Sequence, residues 1–386
     1  MITSRSYLDH AATTPLRAEA IAAITAELTR VGNPSSLHTS GREARRVVEE
    51  SRESVASCLG ADPAEVIFTS GATEADNLAI KGAFRAHPDA PVLITSTVEH
   101  HAVLESVESV ASDGATVVLI AVDHDGRVDL DQLRAALAGH AEQIALVSIM
   151  YANNETGVLA PVAEITAAAR TAGVPVHSDA VQAVGHTVID FAGSGLDALS
   201  LSAHKFGGPV GAGALLARRD FRLSPVQHGG GQERDVRSGT LDVAGIAGMA
   251  AALRAAVDEL TRESDRIRTL RNRLIDTVLT TIDGTELNGI RDPAGSLPGI
   301  ANLSFGGCSA DNLLMLLDQH GIDSSTGSAC TAGVSEPSHV LEAMGRTRIQ
   351  ARSSLRFSLG HTSTDVDVDR LLAVLPGAVE LARRAG

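Results

Sequence analysis

A lysine in the middle of the chain lies at a position where a charged amine is energetically unfavourable. Lys205 ends the segment Ser-Ala-His-Lys that begins at Ser202, directly after an apolar run at 196–201. A lysine at the mouth of a buried strand either pairs with an anion or uses its amine chemically, for example as a Schiff base. Taken alone, Lys205 also fits an exposed lysine in a loop, since most charged side chains remain at the surface.

An aspartate earlier in the chain could bind a positively charged group of the same ligand. Asp179, in the segment Ser-Asp-Ala-Val-Gln that ends at Gln182, follows the predicted strand 174–176. A carboxylate at a strand end can hold a protonated pyridine nitrogen, although it can equally cap a helix. The interval from Asp179 to Lys205 leaves room for one helix and a returning strand. We therefore expect both side chains at one edge of the same sheet.

Three further strand ends carry groups that suit a flat, anionic ligand. Ala72 and Thr73 follow Gly71 at the start of a predicted helix, where backbone N–H groups either bind an anion or are simply capped. His100 can stack on a ring and move protons, or it can be an ordinary surface histidine. Asn154 can hydrogen-bond a ring hydroxyl, or it can form part of a turn.

Two chemically capable residues stand nearer the C-terminus. Cys330 lies among small residues at 327–333, where a thiol can reach a substrate, whereas Cys58 looks structural and Cys308 fits either interpretation. Arg356 interrupts a predicted strand and suits a substrate carboxylate held by two hydrogen bonds. The alternative for Arg356 is an internal salt bridge to one of the 47 acidic residues.

Strands and helices alternate between about residues 66 and 216, and this pattern predicts the scaffold for these side chains. Seven short apolar segments are typical of strands, and helical patterns separate most of them. Such alternation favours a mostly parallel sheet with helices on both faces, in which ligands bind at the carboxyl ends of the strands. A long helical pattern at 241–282, with an expected break, connects this region to a smaller α+β region.

The composition argues against several other classes of protein. The chain has 386 residues, enough for two or three domains, and a net charge of −15 without a basic block, so neither nucleic acid nor a membrane surface is an expected partner. Residues 1–7 contain no apolar stretch typical of a secretory signal, and no apolar run reaches membrane-spanning length. Three widely spaced cysteines fit reduced thiols in a cytoplasm, and no clustered spacing predicts a metal site.

Taken together, these segments resemble one enzyme family nearly end to end. The motifs are Leu-Asp-His-Ala-Ala-Thr-Thr (8–14), Gly-Asn-Pro-Ser-Ser (32–36), Ser-Gly-Ala-Thr-Glu (70–74), Glu-His (99–100), Asn-Asn-Glu-Thr-Gly (153–157), Asp-Ala-Val-Gln (179–182), Ser-Ala-His-Lys (202–205), Gly-Gly-Gly-Gln-Glu-Arg (229–234), Arg-Ser-Gly-Thr (237–240), the serine-rich 324–331 and Arg-Phe-Ser-Leu-Gly (356–360). They are similar to the fold-type I pyridoxal phosphate enzymes of the class V aminotransferase family. More narrowly, they resemble the group I (NifS/IscS-type) cysteine desulfurases.

The resemblance implies the overall organisation of the protein. The fold would be the PLP-dependent transferase fold type I: a large α/β domain at 14–258 with a mostly parallel seven-stranded sheet, and a smaller α+β domain formed by 1–13 and 259–386 that carries the catalytic cysteine. The cofactor would be pyridoxal 5′-phosphate, and the protein would be a cytoplasmic homodimer. Its implied partners are L-cysteine and a sulfur-acceptor protein, either an iron–sulfur scaffold or a thiolation enzyme.

The resemblance also implies roles for single residues. Lys205 would hold the cofactor covalently, Cys330 would be the nucleophile, and His100 would stack on the ring and move a proton. The other implied cofactor contacts are Asp179 to the pyridine nitrogen, Asn154 and Gln182 to the ring oxygen, Ala72, Thr73, Ser202 and His204 to the phosphate, and Thr240 to the phosphate of the neighbouring subunit. Arg356, helped by Asn33, would bind the substrate carboxylate. No resident metal is implied, although Cys330 could ligate a transient iron–sulfur cluster.

The implied reaction removes sulfur from L-cysteine and leaves L-alanine and a persulfide on Cys330. The sulfur would serve iron–sulfur cluster assembly, tRNA thiolation or another sulfur pathway. A selenocysteine lyase, or another class V lyase or aminotransferase, is the alternative within the same fold. Cys330 favours the desulfurase because a plain transaminase needs no thiol, and intact Lys205 and Asp179 argue against a catalytically silent scaffold.

Overall fold

All seven predicted strands of the large sheet are present. The computed structural model describes residues 5–327 and 336–385. The strands are β1 (Ser6–Tyr7), β2 (Val66–Thr69), β3 (Val92–Ser96), β4 (Thr116–Ile120), β5 (Ile144–Ser148), β6 (Val176–Asp179), β7 (Ala198–Ser202), β8 (Gly213–Ala217), β9 (Thr285–Asn288), β10 (Ile300–Phe305), β11 (Ile322–Asp323) and β12 (Ser354–Ser358). Strands β2 to β8 form one sheet in the order β2-β8-β7-β6-β5-β3-β4.

This sheet is mostly parallel, as the sequence predicts, with β8 as the exception. Strands β3 to β7 pair with their neighbours in parallel, whereas β8 is antiparallel to both β2 and β7. The connection from β7 to β8 contains only a 3₁₀ turn, Ala203–Lys205, and a short loop. A parallel return needs a crossover of a dozen or more residues, so this short connection reverses the strand direction.

Helices cover the sheet and build the C-terminal region. They are α1 (Ala18–Leu28), α2 (Thr39–Leu59), α3 (Ala72–Ala86), α4 (His101–Ser112), α5 (Leu130–Gly139), α6 (Val162–Thr171), α7 (Phe191–Ser194), α8 (Val243–Thr281), α9 (Ala310–Gln319), α10 (His339–Ala343), α11 (Arg348–Arg352) and α12 (Asp365–Ala385), with a further 3₁₀ turn at Pro63–Glu65. Within the ranges that the structure describes, none of these helices has the length and apolar character needed to cross a membrane.

Helix α8 corrects one prediction, because it continues without the expected break. The charged residues in its middle form pairs one turn apart, Arg262 with Glu259 and Arg266 with Glu263. Arginine and glutamate are good helix formers, and such pairs stabilise a helix modestly. The charged stretch therefore extends the helix, where the sequence pattern suggested an interruption.

Apolar side chains fill both faces of the large sheet. Phe68 of β2 and Val147 of β5 belong to one buried cluster, and their neighbours Ile67 and Leu146 belong to another. Successive residues of a strand point to opposite faces, so each of these strands is buried on both sides. Such a fully buried sheet leaves its strand ends, and the loops beyond them, as the places where a ligand can approach.

A third apolar cluster lies in the C-terminal part of the chain. It joins Leu8 of the lead-in to Ile267 of α8, Phe305 of β10 and Leu371 of α12. Beside it, β12, β10 and β9 form an antiparallel sheet in that order, and β1 pairs in parallel with β11. The limits of the two domains stay a prediction.

Candidate active site

A cavity of about 520 Å³ lies where the parallel strands end. Asp179 ends β6 and Ser202 ends β7, while Ala72 begins the helix that follows β2. A parallel sheet places such positions along one edge, which is where α/β proteins bind their ligands. Ten residues that the sequence singled out line this cavity: Ala72, Thr73, His100, Asn154, Asp179, Gln182, Ser202, His204, Lys205 and Arg356.

Lys205 lies at the centre of this group, on the 3₁₀ turn after β7. Its Nζ donates hydrogen bonds to the carbonyl oxygens of Ala11 at 2.7 Å and Ala12 at 2.9 Å. Burial, reinforced by the charge of Arg356, lowers the pKa of Lys205 to about 8. The neutral fraction of this amine near physiological pH is therefore larger than that of an ordinary lysine, which favours a nucleophilic or proton-accepting role.

Asp179 is buried, and its Oδ1 accepts a hydrogen bond from the Val181 N–H at 3.0 Å. Burial raises the pKa of its carboxyl group, and the nearby His100 and Lys205 oppose that shift. A cationic group that binds next to this carboxylate would therefore pair with an anion whose position is fixed by the end of β6. A protonated pyridine nitrogen is such a group.

Asp76 of α3 lies beside Asp179 and is completely buried. Its Oδ1 is 3.6 Å from Nε2 of the buried His177. Burial, together with the charge of Asp179, raises the pKa of Asp76 well above the ordinary range. Two adjacent buried carboxylates resist ionising together, so the proton on Asp76 helps Asp179 to carry the negative charge.

His100 caps the start of α4, where its Nδ1 accepts a hydrogen bond from the Ala102 N–H at 3.1 Å. Burial lowers the pKa of His100, with Lys205 adding to the shift and Asp179 opposing it. The imidazole is therefore neutral near pH 7, and the accepting role of Nδ1 places its single proton on Nε2. A neutral histidine against the cavity can stack on a ring and accept a proton.

The start of α3 forms a cradle for an anion. Gly71 precedes the helix with a φ of 150° and no side-chain cap, so the first N–H groups of the helix are left to a ligand. A Cβ atom on Gly71 would lie 3.8 Å from the Oγ of Ser202, which brings the end of β7 beside this turn. His204 also lines this part of the cavity, and burial lowers its pKa to about 4. N–H groups and a hydroxyl at a helix start fit a phosphate.

These groups fit the predicted cofactor. The cavity offers an amine of lowered pKa at Lys205, an anion at Asp179, an imidazole at His100 and an uncapped helix start after Gly71. Gln182 also lines the cavity, although its Nε2 donates to the Ala11 carbonyl oxygen at 2.8 Å. In pyridoxal 5′-phosphate, the amine of Lys205 would meet the aldehyde and Asp179 the pyridine nitrogen. His100 would meet the ring face, and the helix start after Gly71 would meet the phosphate.

Arg356 approaches the cavity from β12 and is buried. Its Nη1 donates to the main-chain oxygen of Asn154 at 2.9 Å, and its Nη2 donates to Oδ1 of Asp9 at 2.8 Å. Its Nε is buried and has no hydrogen-bond partner among the described residues. The internal salt bridge that the sequence analysis offered as the alternative is therefore present, and the binding of a substrate carboxylate by Arg356 stays a prediction.

Two predicted site residues, Asn33 and Thr240, do not line the cavity. Asn33 is exposed, and its Oδ1 accepts from the Ser35 N–H at 2.9 Å. Thr240 is also exposed, as a residue that serves a neighbouring subunit would have to be. Cys330 lies outside the described residues, although Gly327 at the end of the preceding described stretch lines the cavity. Among the described ranges, no cluster of histidine, cysteine or acidic side chains could hold a metal ion.

Two acidic residues that interact with predicted site residues, Asp76 with Asp179 and Asp9 with Arg356, were missing from the sequence predictions. Asp76 follows Ala75 and precedes Leu78 on α3, and both of these neighbours are buried. A charged residue within an apolar helical face is a signal that could have identified it. Asp9 carried no such signal, because its contact with Arg356 joins parts of the chain that are far apart in sequence.

The chain is similar in sequence and fold to several known proteins. The model of the family described as Aminotransferase class-V matches residues 6–371. The chain is 57% identical over 385 residues to a protein of Mycobacterium tuberculosis named IscS-like cysteine desulfurase, covering 98% of each chain, and 44% identical over 379 residues to the cysteine desulfurase IscS of Dictyoglomus turgidum, covering 98% of this chain and 95% of the relative. Among solved structures, a NifS-like protein aligns with a TM-score of 0.91 at 35% identity over 98% of this chain and 100% of the other. SspA in complex with cysteine aligns with a TM-score of 0.79 at 32% identity over 92% and 98% of the two chains.

Proposed function

Because the chain belongs to the class V aminotransferase family, we propose that it is a cysteine desulfurase, which removes sulfur from L-cysteine with the help of pyridoxal phosphate. The observation that carries this proposal is the meeting of Lys205, Asp179, His100 and Arg356 at one cavity. The chain is also similar over almost its whole length to proteins named cysteine desulfurase.

The proposed roles in binding follow from the groups at the cavity. When bound, pyridoxal phosphate supplies an electron sink for the bonds at the substrate Cα. Lys205 holds the cofactor covalently, and Asp179 holds the pyridine nitrogen. Ala72, Thr73, Ser202 and His204 bind the phosphate, Asn154 and Gln182 bind the ring oxygen, and Thr240 reaches the phosphate of a second subunit.

Two side chains of this site are suited to move protons. Lys205, whose pKa is lowered to about 8, accepts the proton from the substrate Cα and returns a proton to the product. His100, which burial keeps neutral, is the proposed acceptor of the substrate thiol proton, and Nδ1 must release the Ala102 N–H to take it.

Arg356 and Cys330 complete the proposed reaction. Arg356 binds the substrate carboxylate with its remaining N–H donors, whereas Asn33 does not line the cavity of its own chain. The Cys330 thiolate attacks the substrate sulfur: an S–S bond forms as the Cβ–S bond breaks, and the electron pair of that bond stays with the organic fragment. Protonation of this fragment gives L-alanine, and the sulfur remains on Cys330 as a persulfide.

The wider setting is also a proposal. A sulfur-acceptor protein, either an iron–sulfur scaffold or a thiolation enzyme, takes the sulfur from Cys330, and the compartment is the cytoplasm. The proposal includes a homodimer, since the exposed Thr240 is assigned to the phosphate of a second subunit. The division into domains at 14–258, and at 1–13 with 259–386, is supported by the apolar cluster that joins Leu8 to the C-terminal region.

Product analysis tests the proposed function. Purified protein loaded with pyridoxal phosphate should convert L-cysteine to equal amounts of L-alanine and, with a thiol reductant, sulfide. Cys330→Ala should still bind L-cysteine, as shown by the cofactor absorbance, and release almost no sulfide. Cys308→Ala is the matched control, since this buried thiol lies elsewhere and should not affect the yield. Normal sulfide release by Cys330→Ala would show that the assigned nucleophile is wrong.

A further inference from the structure

The carboxylate of Asp9 contacts Arg356, the residue that is proposed to bind the carboxylate of the substrate. We propose that Asp9 is a positioning residue, which holds Arg356 in place and, through its negative charge, limits how tightly the site binds a carboxylate ligand. This inference rests on the proposed function, because it concerns the same carboxylate site.

The contacts of Arg356 leave it only partly satisfied. Asp9 and the main-chain oxygen of Asn154 accept from Nη2 and Nη1, at 2.8 and 2.9 Å. The third nitrogen, Nε, is buried without a hydrogen-bond partner within the described ranges. The guanidinium is therefore oriented on two sides. It has five N–H donors, and each Nη keeps a second hydrogen beyond the bond it already makes, so Arg356, which lines the cavity, can still bind a ligand carboxylate there.

The backbone around Asp9 is fixed to the same strand that carries Arg356. Asp9 forms a bridge with Ser358 of β12, and the following His10 N–H donates to the Ser358 carbonyl oxygen at 3.2 Å. The hydroxyl of Tyr7 donates to the carbonyl oxygen of Asp9 at 3.1 Å. With its main chain held in this way, the Asp9 carboxylate stays beside Arg356 when a ligand arrives.

The charges near Arg356 make Asp9 its principal counterion. Glu155 is the other nearby acidic group, but burial raises the pKa of its carboxyl and the Ser338 hydroxyl already donates to it at 2.5 Å. The Asp9 side chain is 21% exposed, and its Oδ1 lies 2.8 Å from Nη2 of Arg356.

An incoming carboxylate is therefore attracted by Arg356 and repelled by Asp9. The interaction of one charge with a nearby counterion weakens its net attraction for a second anion. The proposed product, L-alanine, carries the same carboxylate as the substrate, L-cysteine. A site that held this group with the full strength of an unpaired arginine would release the product slowly, and Asp9 reduces that strength.

Two substitutions of Asp9 separate positioning from charge. Propionate and the uncharged propionamide are titrated into the cofactor-loaded protein, and binding is followed by ligand-observed NMR. Asp9→Asn keeps an oxygen acceptor for Nη2 but removes the charge, so its Kd for propionate should fall by about threefold to tenfold, with propionamide unchanged. Asp9→Ala loses the acceptor as well, so its Kd for propionate should rise above that of the wild type.

Two controls keep the outcome specific. Asp323→Asn removes an aspartate that pairs with Arg5 outside the cavity and should bind propionate as the wild type does. If Asp9→Asn and Asp9→Ala both weaken propionate binding, or both leave it unchanged, the inference is overturned, while the proposed function is judged separately by sulfide release. If Arg356→Ala binds propionate as tightly as the wild type, the assignment of the carboxylate site falls together with the inference.

Discussion

The Nζ atom of Lys205 donates a 2.7 Å hydrogen bond to the carbonyl oxygen of Ala11, which lies 194 positions earlier in the chain. The next carbonyl, that of Ala12, accepts from the same amine. The lead-in before α1 therefore forms part of the cavity wall and orients the amine without neutralising it. The same lead-in also carries Asp9, so one short segment contacts both the proposed cofactor lysine and the proposed substrate arginine.

Covalent trapping tests Lys205 cleanly, because the whole sequence contains only two lysines, Lys81 and Lys205. Borohydride reduction of the cofactor-loaded protein should add one cofactor mass per chain, located on the peptide that contains Lys205. Lys205→Ala should lose both this adduct and the yellow absorbance band, whereas Lys81→Ala should keep both. Intact-mass and peptide mass spectrometry measure the result, and an adduct that persists in Lys205→Ala would contradict the assignment.

Replacement of Arg356 should act on substrate binding more than on turnover. In Arg356→Gln the guanidinium donors and the positive charge are lost, so the KM for L-cysteine should rise by about tenfold to a hundredfold, with a smaller change in kcat. Steady-state kinetics measure both constants. Arg346→Gln is the matched control, since this arginine is also largely buried but pairs with Glu286 away from the cavity. An unchanged KM in Arg356→Gln would assign this arginine to structure alone.

The pH dependence of stability should report on Glu99, which lies directly before His100. Burial raises the pKa of Glu99 to about 8, from an ordinary value of 4.5. Between these values the folded protein holds a proton that the unfolded chain releases, so this group costs progressively more stability as the pH rises from 4.5 to 8. Glu99→Gln removes that cost and keeps an acceptor for the hydroxyl of Ser96 and the N–H of Met150.

Thermal unfolding at pH 5 to 8.5 measures this effect. The melting temperature of Glu99→Gln, relative to that of the wild type, should increase as the pH rises, with both proteins saturated with cofactor. Glu108→Gln, at an exposed position of α4, should show a difference that does not change with pH. A constant difference for Glu99→Gln as well would mean that Glu99 is ionised in the folded protein throughout this range.

Much of the sheet and the cavity could be predicted from local patterns. Apolar runs mark the strands, and a polar residue directly after such a run, such as Asp179 or Lys205, comes to lie at a strand end. In a parallel sheet these positions converge, so ten predicted site residues line one cavity. The continuous α8 was not predicted, because a charged stretch interrupts its apolar pattern without ending the helix.

Contacts between distant segments could not be predicted in the same way. The pairing of Asp9 with Arg356 depends on how the lead-in packs against β12, and no local pattern encodes it. The burial of Asp76 depends on where α3 meets the sheet. Asn33 and Thr240 were assigned by resemblance, and a single chain does not bring either residue to the cavity.

Helix α8 has a mechanical consequence for the molecule. Its 39 residues form a rod of about 58 Å, at 1.5 Å per residue. The N-terminal half contributes Leu253 to the core of the large sheet, and the C-terminal half contributes Leu274 to the C-terminal cluster. Because one unbroken helix contributes to both cores, the C-terminal region can move relative to the large sheet only if α8 bends or if the region rotates about it. A force that acts on one end of α8 is thereby transmitted to the other end.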